Sequence, residues 1–425
     1  MVSNTGTWVQ RVAQDWLVLE LTHGSGTALG IATGLQFLPQ LLFSLWGGVI
    51  ADRYRKRNIL LTTQAIMGML ALILGILALT GVVAVWQVYL LAFALGLVAV
   101  VDNPARQTFV AEMVGSEGMA NAIALNSATF NLARIAGPAV AGLVIGAVGT
   151  PIAFLLNAAS YGAVLVGLKL MRVSELRPLA RAPKAPGQLR ETFRYVRARP
   201  DLWLTLLLVF FVATFGMNFQ VTGALMSKGV FHAGAAEFGL ASAAFALGAL
   251  GGALAAARRA RPSMRLMLTT AFAFGVLEVA TGVMPAFWSF LVMLVPTGLA
   301  VLMFSTTANS TTQLGTTPAV RGRVMGLYMF VFLGGTPLGS PLVGWSAEQF
   351  GARAGLVGGG IISAAAAAGV ALLLARARGA RLRTVLRPAA LARAAAGGAG
   401  AYARRTGQSR HNVRQREPTA ATNGS

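Results

Sequence analysis

"GGVIADRYRKRN", Gly47 to Asn58, separates two long apolar runs. The chain has only 13 acidic residues, and it sets one of them, Asp52, beside Arg53, Arg55, Lys56 and Arg57 in this short gap. A basic cluster between apolar runs pins a chain at a membrane surface. A carboxylate is not needed for that. The stretch therefore poses two questions: whether the flanking runs cross a bilayer, and what the carboxylate does.

The composition answers the first. The chain has 425 residues, 56% of them hydrophobic and 11% charged, where a soluble domain carries about a quarter charged residues. Apolar stretches of roughly 18 residues or more recur, each long enough to cross a hydrocarbon core of about 30 Å. They are continuous rather than alternating, which predicts helices and not a barrel. There is no cysteine. That excludes disulfides, thiolate metal sites and a cysteine nucleophile, and leaves the redox compartment open. No basic n-region precedes the first apolar stretch, so no cleavable signal peptide is expected.

Spans are predicted near 2–21, 27–50, 58–81, 84–106, 126–149 and 151–171, then near 201–223, 236–257, 264–284, 287–309, 323–347 and 353–375. A polar stretch at 172–200 divides these twelve spans six and six, and an Arg-rich tail follows at 377–425. With a cytoplasmic N-terminus, the cytoplasmic gaps hold the cluster after Asp52, eight basic residues of 172–200, Arg258, Arg259, Arg261, Arg321 and Arg323. The opposite gaps hold only Lys228 and Arg353. This is a strong positive-inside pattern with both termini cytoplasmic. It accounts for most of the net charge of +22 without nucleic acid. The tail reads as disordered and solvated, near anionic headgroups.

The second half repeats the first. "GGVIADRYRKR" is echoed by "GGALAAARRAR", with Gly48 opposite Gly252. Asn103 and Gln107 after span four are echoed by Asn309 and Gln313 after span ten. The chain resembles the major facilitator superfamily over about residues 1–376. That family's signature after helix two, G-x-x-x-D-R-x-G-R-[RK], is met here by Gly48, Asp52, Arg53, Lys56 and Arg57, with Arg55 where a glycine is expected. "GTWVQRVAQDWLVL", "DNPARQ" and "RGRVMGLYM" are similar to its branch of proton-driven drug and siderophore exporters. "ARIAGPAVAG" resembles the helix-five signature of family exporters, through Gly137, Pro138 and Gly142, with Ala133 and Ala141 where glycine is usual.

The resemblance implies an all-α integral membrane fold of two six-helix halves, 1–171 and 201–376, joined by a cytoplasmic loop. It also implies alternating access in the inner membrane, with helices one, four, seven and ten lining the cavity. Charged residues inside spans are costly and need explaining. Arg11 and Asp15, like Gln10 and Gln14, are four apart and share a helix face. They make either a self-neutralising pair or a cavity-lining carboxylate that takes up a proton. Arg134 faces the cavity or bridges carbonyls freed by Pro138. The resemblance gives Gly48, Asp52, Arg53, Lys56, Arg57, Asp102 and Arg106 to gating. Asp102 is expected near Lys56 in a relay with helix eleven, and Asp52 against that helix's N-terminus, where the dipole favours an anion. Glu278 lies on a peripheral helix, serving packing, an oligomer contact or coupling.

Helix one holds Gln10, Arg11, Gln14 and Asp15 within its first 20 residues and makes a poor span. Relatives begin this helix upstream of "SNTGTW", so coding sequence is expected before Met1. No G-x-x-x-x-G-K-[ST] occurs, which excludes direct ATP hydrolysis. His23, His232 and His411 form no ligand cluster with acids, so neither a metal nor another cofactor is expected, and no enzyme. The reading is a monomeric proton-coupled exporter of small amphiphilic molecules, whose partners are its substrate, protons and the lipid bilayer. An importer of a small organic solute and a non-transporting scaffold are the alternatives.

Overall fold

A computed structural model describes residues 2–114, 119–172, 188–258, 263–317 and 320–385. Of these, the residues up to Ala368 form one compact unit and those from Gly369 belong to a second. The described residues contain helices and no strand. In order they are α1 (Val2–Leu21), α2 (Gly26–Arg53), α3 (Lys56–Leu79), α4 (Val85–Val114), α5 (Met119–Leu170), α6 (Gln188–Arg197), α7 (Pro200–Phe211), α8 (Phe219–Leu225), α9 (Ala235–Ala257), α10 (Met264–Gly282), α11 (Phe287–Leu314), α12 (Arg321–Phe350) and α13 (Ala352–Val385).

Two of these are not simple rods. α5 breaks into two arms at Gly149, whose φ of 83° suits glycine, and Pro151 starts the second arm. The seventh span runs from Pro200 to Val230 and is jointed. Five-residue π-helical segments, Val212–Gly216 and Met226–Val230, flank the short α8. Among the described residues nine helical segments are long and apolar enough to cross a membrane. Counting the arms of α5 separately and adding α1 and α2 gives the expected twelve. α1 tolerates its polar residues because they face protein rather than lipid: Gln10, Gln14 and Asp15 are all buried. The lipid-facing surface is built from side chains such as Leu90, Leu143, Leu247 and Val292, which are exposed on the protein alone.

The internal repeat is visible as packing. Gly47 lies against the Val100 carbonyl and Gly96 against that of Gln36, so α2 and α4 cross backbone to backbone. In the second half Gly252 meets the Leu299 carbonyl and Gly298 that of Phe245, at the α9–α11 crossing. Gly47 is therefore the packing counterpart of Gly252. Gly48, paired with it by sequence, has open space where a side chain would project. The polar stretch 172–200 reads as a loop, yet Gln188–Arg197 fold into the amphipathic α6. Arg323 on α12 pairs with Glu191 on α6 at 3.0 Å. Hydrogen bonds from Thr317 and Arg199 draw the Tyr195 phenol below its ordinary value.

Candidate functional site

The halves meet most closely far from the basic loops. α2 presents Gly26, Gly30 and Gly34 to α12. A Cβ at Gly26 would sit 2.5 Å from the Gly344 carbonyl oxygen, and one at Gly30 would overlap that of Ser340. At Gly34 a Cβ would stand 3.1 Å from Pro341. α5 meets α9 in the same way, with Gly142 on Ala235 and Gly239 on the Pro138 carbonyl. Residues this small let helix backbones touch. At the edge of this closure Glu348 of α12 accepts from the Thr27 amide at 2.8 Å and the Ser25 hydroxyl at 2.9 Å. A carboxylate thus caps the N-terminus of α2 from across the interface.

Toward the basic end a cavity of about 950 Å³ opens between α1, α2 and α4. Trp8, Phe37, Tyr161 and Leu333 supply apolar wall, and Arg11, Gln36, Gln40, Asn103 and Gln107 supply polar groups. Gly48, Asp102 and Arg106 line it as well. The Arg11 guanidinium lies 4.8 Å from the Trp8 ring and 5.6 Å from that of Phe37, a cation–π cradle. It does not close on Asp15.

Asp15 lies one turn further along α1 and does not line the cavity. It is 4% exposed, and its Oδ2 is buried without a hydrogen-bond partner. Gln14 is placed likewise, with its Nε2 unbonded. Gln10 accepts from the Asn157 amide, and the Ser160 hydroxyl donates to Asn157 at 2.9 Å, which ties α1 to the second arm of α5. The polar residues in the middle of α1 thus split: Arg11 faces the cavity, Gln10 is bonded, and Gln14 and Asp15 are sealed in behind.

The gating residues divide too. Asp102 is buried and fully committed: Thr63 donates at 2.7 Å, Gln64 at 2.9 Å, and Arg106 pairs with it at 2.6 Å. Lys56 does not reach Asp102. It pairs with Glu112 near the end of α4 at 2.9 Å, with both side chains largely buried. Arg57 donates to the carbonyls of Leu168 and Lys169, closing the end of α5. Arg53 is exposed. The side chains of Asp52 and Arg134 lie outside the described residues. In the helix-five signature, a Cβ at Gly137 would overlap that of Trp8, so this glycine seats α1. Sequence reasoning missed Glu112, Glu348, Phe37, Asn157 and Tyr161. Glu112 carried a signal, as one of few acids beside a span end.

The family model described as transmembrane secretion effector matches residues 1–387. The chain is 26% identical to the staphyloferrin A transporter of Staphylococcus aureus, over 81% of this chain and 87% of that protein. It is 27% identical to the multidrug efflux pump Tap of Mycolicibacterium fortuitum, over 83% and 88%. It is also 27% identical to the enterobactin exporter EntS of Shigella flexneri, over 76% and 77%. Among solved structures, a bacterial homologue of the human lysosomal transporter Spinster superposes with a TM-score of 0.71, at 17% identity over 87% of this chain and 94% of that one. That likeness shows the fold.

Proposed function

The chain belongs to the transmembrane secretion effector family of the major facilitator superfamily, a family of membrane transporters and not of enzymes, and from that premise we propose that it exports small amphiphilic molecules in exchange for protons by alternating access. One observation carries the reading. A mixed aromatic and polar cavity opens at the basic end, and the opposite end is closed by backbone contacts that need no side chain to move. The positive-inside rule puts the basic end in the cytoplasm. The cavity then faces the compartment from which an exporter loads.

The residues fit separate tasks in such a cycle. Trp8, Phe37 and Tyr161 offer flat apolar contact, and Gln36, Gln40 and Asn103 offer hydrogen bonds without charge. Asp15 is the coupling group: when the closed end parts, its carboxyl meets the outer side and takes a proton. Once neutral it can be buried again at lower cost. Arg11, one turn nearer the cytoplasm, favours the charged form and helps the proton leave inward. Arg134 is proposed to face the same cavity, and Asp52 to hold the cytoplasmic face shut in the opposite state. The energetics permit this. A proton falling through 100 mV supplies about 2.3 kcal/mol, and a hundredfold gradient of a neutral solute requires about 2.7 kcal/mol, so roughly two such protons cover it.

The test uses proteoliposomes loaded with ethidium, enterobactin or staphyloferrin A. For each probe that is carried, an imposed pH gradient should drive it uphill toward the acidic side. Equal accumulation without the gradient would refute coupling, and movement with the proton instead of against it would make the protein an importer.

A further inference from the structure

Glu278 is 2% exposed one turn before the end of α10, with Oε2 lacking a hydrogen-bond partner. Two other elements close on it through glycines. Gly216 ends the π-helical segment Val212–Gly216, and a Cβ there would lie 3.1 Å from Glu278 Oε2 and 2.6 Å from the Ser363 hydroxyl. Gly359 of α13 brings its own position within 3.4 Å of Glu278 Oε1 and 2.5 Å of the Phe215 carbonyl oxygen. Ser363 is itself buried, with a hydroxyl that has no partner. Among the described residues α7, α11 and α13 bring no charged side chain to this point. Arg353, at the start of α13, is committed to the Gly282 carbonyl one turn further along α10, at 3.0 Å. A lone carboxylate with no cation, sealed by protein at membrane depth, is costly as an anion.

The same joint reaches the closure between the halves. Asn218, two residues beyond Gly216, donates to the Thr214 carbonyl at 2.7 Å and accepts from the Ser340 hydroxyl at 2.9 Å. The Ser340 carbonyl is the one against Gly30 of α2. A contiguous path therefore runs from Glu278 through the π-helical joint to the small-residue closure. Single π turns inside helices are frequent at functional sites.

We propose that Glu278 is a second proton-binding site, in the C-terminal half, and that its proton holds the joint of the seventh span against α13. Bound, the neutral carboxyl keeps the packed arrangement described above. Released, the anion draws water to the joint, the π turn loosens, and the hold on Ser340 weakens. The proposal deepens the proton-coupled reading and rests on it, but its test needs no substrate. Dicyclohexylcarbodiimide attacks protonated carboxyls in apolar surroundings. The full-length protein in liposomes is treated across pH 5 to 9 (chosen as the range of the assay), and modification of Glu278 is read by mass spectrometry with exposed Glu20 as the reference. In parallel, Met217→Cys, at the joint of a chain without native cysteine, is titrated with a maleimide, and its reactivity is read at each pH as the ratio to that of Val82→Cys, an exposed position, because the thiolate fraction of any cysteine rises with pH. Glu278 should be modified at pH values where Glu20 is not, and Cys reactivity at 217 should rise several-fold as that modification fades. Glu278→Gln should abolish the pH dependence at 217. Absence of Glu278 modification at every pH overturns the proposal, and that arm holds even if the variant fails to fold. So does pH-dependent reactivity that survives Glu278→Gln. Either result, found beside intact proton-driven transport, leaves the coupling reading standing. Loss of coupling beside a responsive Glu278 defeats that reading instead.

Discussion

Gly30→Ala should tilt the protein toward the state in which the small-residue end is open. A methyl at position 30 overlaps the Ser340 carbonyl oxygen and comes within 2.9 Å of both the Ser340 carbonyl carbon and the Pro341 Cα. All three atoms are backbone, so no rotamer change relieves the clash. Inserting one methyl into such a contact costs about 1–3 kcal/mol. The cost falls only on the closed state, because parting the helices removes it. At tenfold per 1.4 kcal/mol, the ratio of open to closed should rise roughly 5- to 150-fold. The absence of native cysteine makes the assay direct. One spin-label pair at Val82 and Val283 reports on the small-residue end, and another at Asn58 and Arg265 on the basic end. All four side chains are exposed. Double electron–electron resonance should show the first distance lengthening and the second shortening in Gly30→Ala. Unchanged distributions with unchanged thermal stability would refute the claim that backbone packing of α2 on α12 sets the facing state.

Three further outcomes follow from the geometry. Glu348→Gln removes the charge that caps α2 across the interface, so the Val82–Val283 pair should shift a few-fold toward the longer distance, in the same direction as Gly30→Ala. Lys56→Met strands Glu112, whose side chain is 8% exposed, and should destabilise the protein by about 3–5 kcal/mol; the double variant with Glu112→Leu should recover most of this in a thermal unfolding assay. Asp52→Asn should leave insertion and orientation intact, since the basic cluster remains, yet slow transport measurably in proteoliposomes.

Much of the fold was legible because a bilayer imposes a simple code. Length and continuity of apolar runs put every predicted span on described helices, because each run is long enough to cross a hydrocarbon core. The breaks were less legible. Gly149 and Pro151 mark one in α5, but nothing in the run from Pro200 to Val230 announces two π-helical segments, the first of which packs on α12. The site was half legible. Arg11 is in the cavity wall as its position implied, but helical spacing alone could not say that Arg11 would turn to Trp8 and Phe37 instead of Asp15. The expected meeting of Lys56 with Asp102 failed for a similar reason. Thr63, Gln64 and Arg106 already satisfy Asp102, and Glu112 lies nearer the start of α3. Which of several partners a charge takes is decided by helix phase and crossing, which a single sequence does not carry.

The central claim is that Asp15 exchanges a proton for substrate, and linkage makes that claim testable in reverse. Proteoliposomes are loaded with ethidium and a weakly buffered pH-sensitive dye, then diluted into probe-free medium with no pH gradient. If ethidium leaves by exchange, protons should enter, and the lumen should acidify in step with probe loss. Asp15→Asn should still release probe, down its gradient, but without acidification. Equal acidification in wild type and Asp15→Asn would contradict the account and move coupling to another carboxyl.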